Sequence, residues 1–488
     1  MNNKNIFLLL GLMVLFLFTS CDEWLDANPD TVIDENDQFQ TEAGFKEALS
    51  GIYIQMTSTS VYGKDMIWGA IDILSREYNP LPVNSYYKGL ETGEYTDINT
   101  RPYIDAIWQK QYNIIANINS ILLSIENGAC PEISYNIIKG ELLGLRAFIH
   151  LDLMRLFGVC PKTFQTETSR VTIPYVTGVS KDVTPQLTYA ETIAKMKADI
   201  ENAIKLLEYD PIYDVERTAE YDEFINNSDY FDYYRDYHMN YYAAKAVMAR
   251  ILMWEGGSEN LQKASDLAQD VIDNSSFYLA PDWWNTKTEP RLDPEVMFNL
   301  DINNMDEDIN KYLIATTNST VDLLCFQESN VYEIFETEKP QTGLVDFRFA
   351  DFMKSHSDGY SYVKLYQDQE MQYDYNTMPV MGLPEMYYIV IENCIDTDLA
   401  KAIELLNEVR TSRKIIEMIP SNSTAEVVKD ELFKECRKEF INSGQLFFYY
   451  KRMGLEQLPA QVDDVTLTDN IYMLPYPDEE IQLGNRIQ

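Results

Sequence analysis

The sequence predicts a mostly α-helical fold, built from helix pairs of about tetratricopeptide length, with long irregular loops and few short strands. Three observations carry this: apolar residues recur at intervals of three and four, the segments that show this come in pairs, and glycine or proline closes them. The clearest segment runs from Gly140 to Phe157, where Leu142, Leu145, Ile149, Leu153 and Leu156 form one stripe and Gly158 and Pro161 end it. Thr188 to Leu207 repeats the pattern, with Ile193, Met196, Ile200, Ala203, Ile204 and Leu207 on one face and most charges elsewhere. Met239 to Trp254 sets Ala243, Ala244, Ala246 and Ala249 beside Val247, Ile251 and Trp254, so backbones can approach it on more than one side. Gly256-Gly257 break that helix, and Ala264, Leu267, Ala268, Val271 and Ile272 mark its antiparallel partner; together they approach the roughly 34 residues of a tetratricopeptide repeat. Ala400 to Arg410 and Lys429 to Phe440 supply two more helices. Asn79 to Pro102, Asp210 to Asp236 and Phe277 to about Pro379 show little periodicity and are expected to be long loops, where binding groups concentrate.

The chain opens with one positive charge in Met1 to Lys4 and an apolar run from Ile6 to Phe18. That run is too short for the about 20 residues of a membrane span and reads as a secretory signal. Phe18-Thr19-Ser20-Cys21 places a cysteine after small residues, where a lipoprotein signal peptidase cuts and the thiol receives lipid. With 45% hydrophobic and 12% aromatic residues the rest has ample material for a core. A net charge of −39 argues against nucleic acid, whose phosphates call for clustered Lys and Arg, and against adsorption to anionic lipid, so membrane attachment falls to Cys21. Cys130, Cys160, Cys325, Cys394 and Cys436 are widely spaced, with no Cys-x-x-Cys pair among them, and read as small buried hydrophobes.

Several of these segments resemble landmarks of a known family. Gly140-Glu141-Leu142-Leu143-Gly144-Leu145-Arg146-Ala147-Phe148, continuing to Leu153-Met154-Arg155-Leu156-Phe157-Gly158-Val159-Cys160-Pro161, resembles the signature helix of SusD/RagB proteins. Other landmarks follow in that family's order: Cys21 to Asp26 with Pro29, Trp108 to Tyr112 with Asn117 and Asn119, the alanine-rich Ala243 to Arg250, and Leu405 to Arg410. Arg437-Lys438-Glu439-Phe440 with Gly444, Lys451 to Gly454, and Leu474 to Ile481 resemble the C-terminal ones. The chain departs from the pattern at Gly382, often Arg in the family, at Ile391-Glu392-Asn393, often Ala-Glu-Ala, and at Phe448 to Arg452, usually Asp-Leu-Lys-Arg. The resemblance implies a SusD-like helical fold in a lipid-anchored protein of the outer membrane. Such a protein captures a nutrient oligosaccharide and passes it to a partner SusC-like TonB-dependent transporter. RagB-like members imply the alternative of a peptide ligand, and a surface-anchored hydrolase is a third reading. The expected organisation is a signal peptide over 1–20, an N-terminal SusD-like region over 21–225 and a C-terminal SusD/RagB region over 226–488, packed as one compact unit.

The sequence holds no Gly-x-Ser-x-Gly, His-Glu-x-x-His or phosphate-cradling glycine loop, so no catalytic residue, cofactor or metal is expected. Of the three histidines, His150 lies in the core-like helix and reads as structural. The acidic run Asp301 to Asp308 lacks the glycine and spaced glutamate of a calcium loop and reads as a solvated loop. Sugar recognition needs flat apolar faces for pyranose C–H surfaces and nearby amides or carboxylates for hydroxyls. The candidates are therefore loop aromatics: Tyr78, Tyr86 and Tyr87 with Asn79, and Trp283 and Trp284 beside Asp282 and Asn285. Adjacent pairs are expected to split, one ring inward and one outward. Tyr230 to Tyr237 is a third candidate, expected to pack in part against the alanine-rich helix.

Overall fold

A computed structural model describes residues 38–213, 230–314, 322–367, 376–460 and 466–488. The expected signal peptide and Cys21 lie outside the described residues, as do the landmarks up to Pro29.

The longer helices are α1 (Glu42–Met56), α2 (Arg101–Ile125), α3 (Glu132–Phe157), α4 (Tyr189–Leu206), α5 (Tyr241–Glu255) and α6 (Ser258–Asn274). They continue as α7 (Met305–Tyr312), α8 (Glu328–Phe335), α9 (Leu383–Thr397), α10 (Leu399–Ser412), α11 (Ala425–Glu439) and α12 (Leu446–Met453). Neighbours in the array are neighbours in sequence: α1 packs on α2, α2 on α3, and so on to α6, which meets α9; α9 pairs with α10 and receives α11. The result is a succession of helix hairpins.

Local chemistry explains the ends. Thr188 and Glu191 form a reciprocal capping box at the start of α4, and Asn240 caps α5 by accepting from the Ala243 amide. Gly256 and Gly257, at φ +78° and +87°, make the turn from α5 to α6, a left-handed backbone that residues with a Cβ avoid. α3 begins eight residues before the expected Gly140, because Ile133, Ile137 and Ile138 extend its buried surface toward Pro131. It is buried on nearly all sides, so its charged residues must each find a partner. Glu141 takes Arg235, Arg146 takes Asp199, and Arg155 takes Asp152. At Gly144 a Cβ would come within 2.7 Å of Met239, so the close approach of the chain entering α5 depends on the missing side chain.

The stretch from Phe277 to Pro379 is not the loop its composition suggests. It holds β3 (Val296–Asp301), α7, α8 and the hairpin β4 (Met353–His356) and β5 (Gly359–Tyr362), and β6 (Thr377–Gly382) begins at its end. β3 pairs antiparallel with β6, which leads straight into α9, and β1 (Val171–Pro174) pairs with β2 (Gln186–Thr188). β3 shows no alternation because five of its six residues are buried. The acidic run Asp301 to Asp308 is likewise not simply a loop, since Asp306, Glu307 and Asp308 form the first turn of α7, where carboxylates favour the positive end of the helix dipole.

Most apolar side chains join one large core, and a smaller second core gathers Leu292, Phe326, Val331, Phe335, Phe347, Phe352 and Tyr362. Buried ion pairs hold the second core in place. Arg413 grips Glu295 through two bonds of 2.7 Å and also reaches Glu439. Arg348, beside Phe347, bonds Asp346, Glu435 and Glu439. α11 thus anchors the segment on which the second core is built.

Candidate functional site

The expected aromatics divide between two places. Tyr78 touches both cores, its ring 4.5 Å from Phe326. Its hydroxyl donates to Asp72 at 2.9 Å and accepts from Asn442 at 3.0 Å. This ring is a structural bridge, since neither its hydroxyl nor its packed face is left for a ligand. Asn79 donates from Nδ2 to the Asp358 carbonyl at 2.8 Å, and its amide N–H bonds the Cys325 carbonyl at 2.7 Å, so it ties its loop to the turn between β4 and β5.

The tyrosine pair splits. Tyr87 is buried, donates to Asp65 at 3.1 Å and lies beneath the Lys64 ammonium. Burial pushes the Asp65 carboxyl up to about 6, although Lys64 and the Tyr87 hydroxyl pull the other way. Tyr86 is 53% exposed and rests near Tyr103. Asp322 holds this turn by accepting from the Ser85 hydroxyl at 2.5 Å and the Tyr86 amide at 3.2 Å.

The tryptophan pair splits in the same way. Trp284 packs on the second core and donates from Nε1 to the Glu289 carbonyl at 3.0 Å, whereas Trp283 is 76% exposed. Their loop is short and braced: Trp284 N–H bonds Pro281, and the Thr286 hydroxyl donates to Asp351 at 2.5 Å. Asp282 and Asn285 flank the exposed ring and are themselves exposed.

The second core on which Trp284 packs also carries a group of three rings that sequence reasoning missed. Tyr332 of α8 lies 6.1 Å from Tyr360 of β5 and 6.5 Å from Phe349, and the two hydroxyls meet at 3.2 Å. Phe349 and Tyr360 pack on the same core as Trp284, and Asp351, which holds the tryptophan loop, is two residues from Phe349. One signal pointed here: the polar Ser357-Asp358 followed by Gly359 marks a tight hairpin turn, which pairs His356 with Gly359 and leaves Tyr360 half-buried. The third candidate stretch mixes both roles. Asp232 and Arg235 are buried and pair with Lys46 and with Asp210 and Glu141, while Tyr233 and Tyr234 are exposed. Tyr230 lies at the edge of the described residues.

The histidines are committed to structure. His150 donates from Nδ1 to the Arg146 carbonyl, accepts the Val176 amide at Nε2, and is pushed down to about 3 by burial. His238 faces Glu141. His356 lies 3.1 Å from the Ser361 hydroxyl, but its Nδ1 accepts from the Asp358 amide, so its Nε2 carries the proton and cannot act as a base toward that serine. Among the described residues no group of histidines, cysteines and carboxylates is placed to hold a metal ion, and none of their helices is long and apolar enough to cross a membrane.

Comparison with known proteins gives these features a setting. Residues 23–224 match a family model described as SusD-like, starch-binding and associating with the outer membrane. A SusD-like protein P25 of Formosa agariphila is 27% identical over 161 residues, which is 32% of this chain and 30% of that one. A SusD superfamily protein from Bacteroides thetaiotaomicron, 21% identical, superposes with a TM-score of 0.69 over 92% of this chain and 99% of its own. A SusD-like carbohydrate-binding protein from Bacteroides vulgatus, 16% identical, gives 0.69 over 92% and 97%. A surface glycan-binding protein A from Bacteroides thetaiotaomicron, 13% identical, gives 0.68 over 92% and 99%. Residues 23–224 thus resemble the SusD-like family, and the described residues share the fold of SusD superfamily structures.

Proposed function

We propose that this protein captures an oligosaccharide at the outer surface of an outer membrane, held there by lipid on Cys21, and passes it to a SusC-like TonB-dependent transporter. The observation that carries the proposal is the exposed Trp283 ring on its braced loop, whose neighbour Trp284 packs on the same second core as Phe349 and Tyr360. A pyranose lays its C–H face on such a ring, and Asp282 and Asn285 are at hand for its hydroxyls. Because Trp284, Thr286 and Asp351 already fix the loop, little freedom is lost when a ligand arrives. Tyr86 offers a second ring on a separate patch, beside Tyr103. The family description and the names of several structural relatives point to carbohydrate as the ligand class.

The test is a glycan and peptide array probed with residues 22–488, in parallel with Trp283→Ala, Tyr332→Ala and Tyr86→Ala. The reading predicts oligosaccharide binding that Trp283→Ala abolishes in a folded protein. Selective peptide binding would transfer the site to a RagB-like function. Glycan binding that survives Trp283→Ala and Tyr332→Ala would remove this surface from the argument. Transfer is tested separately, by whether the lipidated protein co-purifies with a β-barrel transporter.

A further inference from the structure

Between the C-terminal end of α3 and helices α5, α9, α11 and α12 lies a small cavity of about 60 Å³. Four residues of its wall each hold a buried polar atom without a hydrogen-bond partner: Arg155 Nε, Arg250 Nη1, Trp254 Nε1 and the Tyr388 hydroxyl. All four are at most 5% exposed. Native interiors rarely leave so many polar groups unmatched in one place.

The acids of the wall are already taken. Glu385 accepts from Arg250 Nε and Nη2 at 2.8 and 2.6 Å, and Glu392 accepts from both terminal nitrogens of Arg452 at 2.8 and 2.7 Å. Arg155 turns its terminal nitrogens to Asp152 and to Gln445. What remains over is donors. The three nitrogens can only donate, and burial holds the Tyr388 phenol well above its usual value, so it keeps its proton. Three guanidiniums line the cavity against two carboxylates, in a chain of net charge −39. Burial and the neighbouring Arg250 charge also pull Arg155 below the ordinary guanidinium range, which an added negative charge would reverse.

We propose that this cavity is a second binding site, independent of the aromatic surface, for a small carboxylate. Its two oxygens offer about four acceptor positions, against the four unpaired donors of the wall. A cation is excluded by the same donors.

The proposal is tested by titrating residues 22–488 with sodium acetate at constant ionic strength, chloride making up the balance, and following both heat release and melting temperature. Saturable acetate binding with a raised melting temperature is expected, and chloride does not reproduce it. Trp254→Phe and Tyr388→Phe each remove one unpaired donor and break none of the observed hydrogen bonds, so both variants fold. Each weakens acetate about tenfold, the loss of one buried hydrogen bond, while glycan binding on the array is unchanged. Equal acetate affinity in parent and variants overturns the proposal. So does the absence of any saturable acetate effect, in which case Tyr388→Phe should melt above the parent because it sheds an unmatched polar group.

Discussion

Asp72 holds the Tyr78 hydroxyl inside the fold, and its titration can be read in the stability of the whole protein. It is 3% exposed, accepts the Tyr78 hydroxyl and the Asn442 amide at Oδ2, and has no partner at Oδ1. Burial, with the nearby Glu77 charge adding, pushes its carboxyl from 3.8 up to about 7 against the bonds from Asn442 and Tyr78. The folded protein therefore keeps this proton up to about pH 7, while the unfolded chain releases it near 3.8. Stability falls as pH rises through that window and levels off above it. Each tenfold in proton affinity is worth about 1.4 kcal/mol, so between about pH 4.5 and pH 8 the loss amounts to roughly 3 kcal/mol. Asp72→Asn keeps an oxygen for Tyr78 and Asn442 but cannot ionise; its amide donors, near an atom that now has no partner, cost about 1–3 kcal/mol at every pH. The variant is expected to be about 1–3 kcal/mol less stable than the parent at pH 4.5 and as stable or up to about 2 kcal/mol more stable at pH 8. Urea unfolding of both proteins at the two pH values measures this directly. A difference between variant and parent that is the same at both would show that Asp72 is not the buried acid described here.

Three further outcomes follow from the same geometry. Arg413→Met leaves Glu295 and Glu439 buried without their main partner; a loss of about 3–5 kcal/mol is expected in urea unfolding, and a loss below about 1 kcal/mol would mean the network is not formed. Gly359 sits at φ +133°, and a Cβ there would lie 2.2 Å from the Phe326 carbonyl. Gly359→Ala is therefore expected to cost about 2–4 kcal/mol, and faster amide hydrogen exchange across 353–362 would report the loosened hairpin. Trp283→Ala should change stability by no more than about 0.5 kcal/mol because its ring meets solvent. Trp284→Ala should cost about 1–3 kcal/mol because its ring covers the second core; equal melting shifts for the two would contradict the split.

The helices that show a clean apolar stripe in sequence are the ones with one wet face, and they were legible. α4, α6 and α10 lie where the spacing puts them, and the capping box of α4 is readable as Thr188-x-x-Glu191. α9 was not legible as a helix, because Tyr387 to Ile391 is a run of aromatic and β-branched residues buried on all sides. β3 failed for the same reason in strand form. The irregular composition of 277–379 conceals elements that owe their stability to tertiary ion pairs with α11, and no local window contains those partners.

The proposed binding surface was half legible, and the missing half has a physical cause. That adjacent rings point opposite ways follows from backbone geometry, but which ring turns inward depends on distant partners: Asp65 claims Tyr87 and the second core claims Trp284. Tyr332, Phe349 and Tyr360 come from three elements and meet only in the fold. The C-terminal landmark from Arg437 to Phe440, by contrast, acts wholly inside the protein. Arg437 bonds Glu77 at 2.9 Å and pairs with Glu333 of α8, while Lys438 reaches Glu336. These contacts set the residue before Tyr78 and the helix that bears Tyr332, so a segment that resembles the SusD/RagB landmarks fixes where these rings stand. Fold could therefore be inferred from the landmarks, while the ligand has to be sought in residues that lie outside them, Trp283 first.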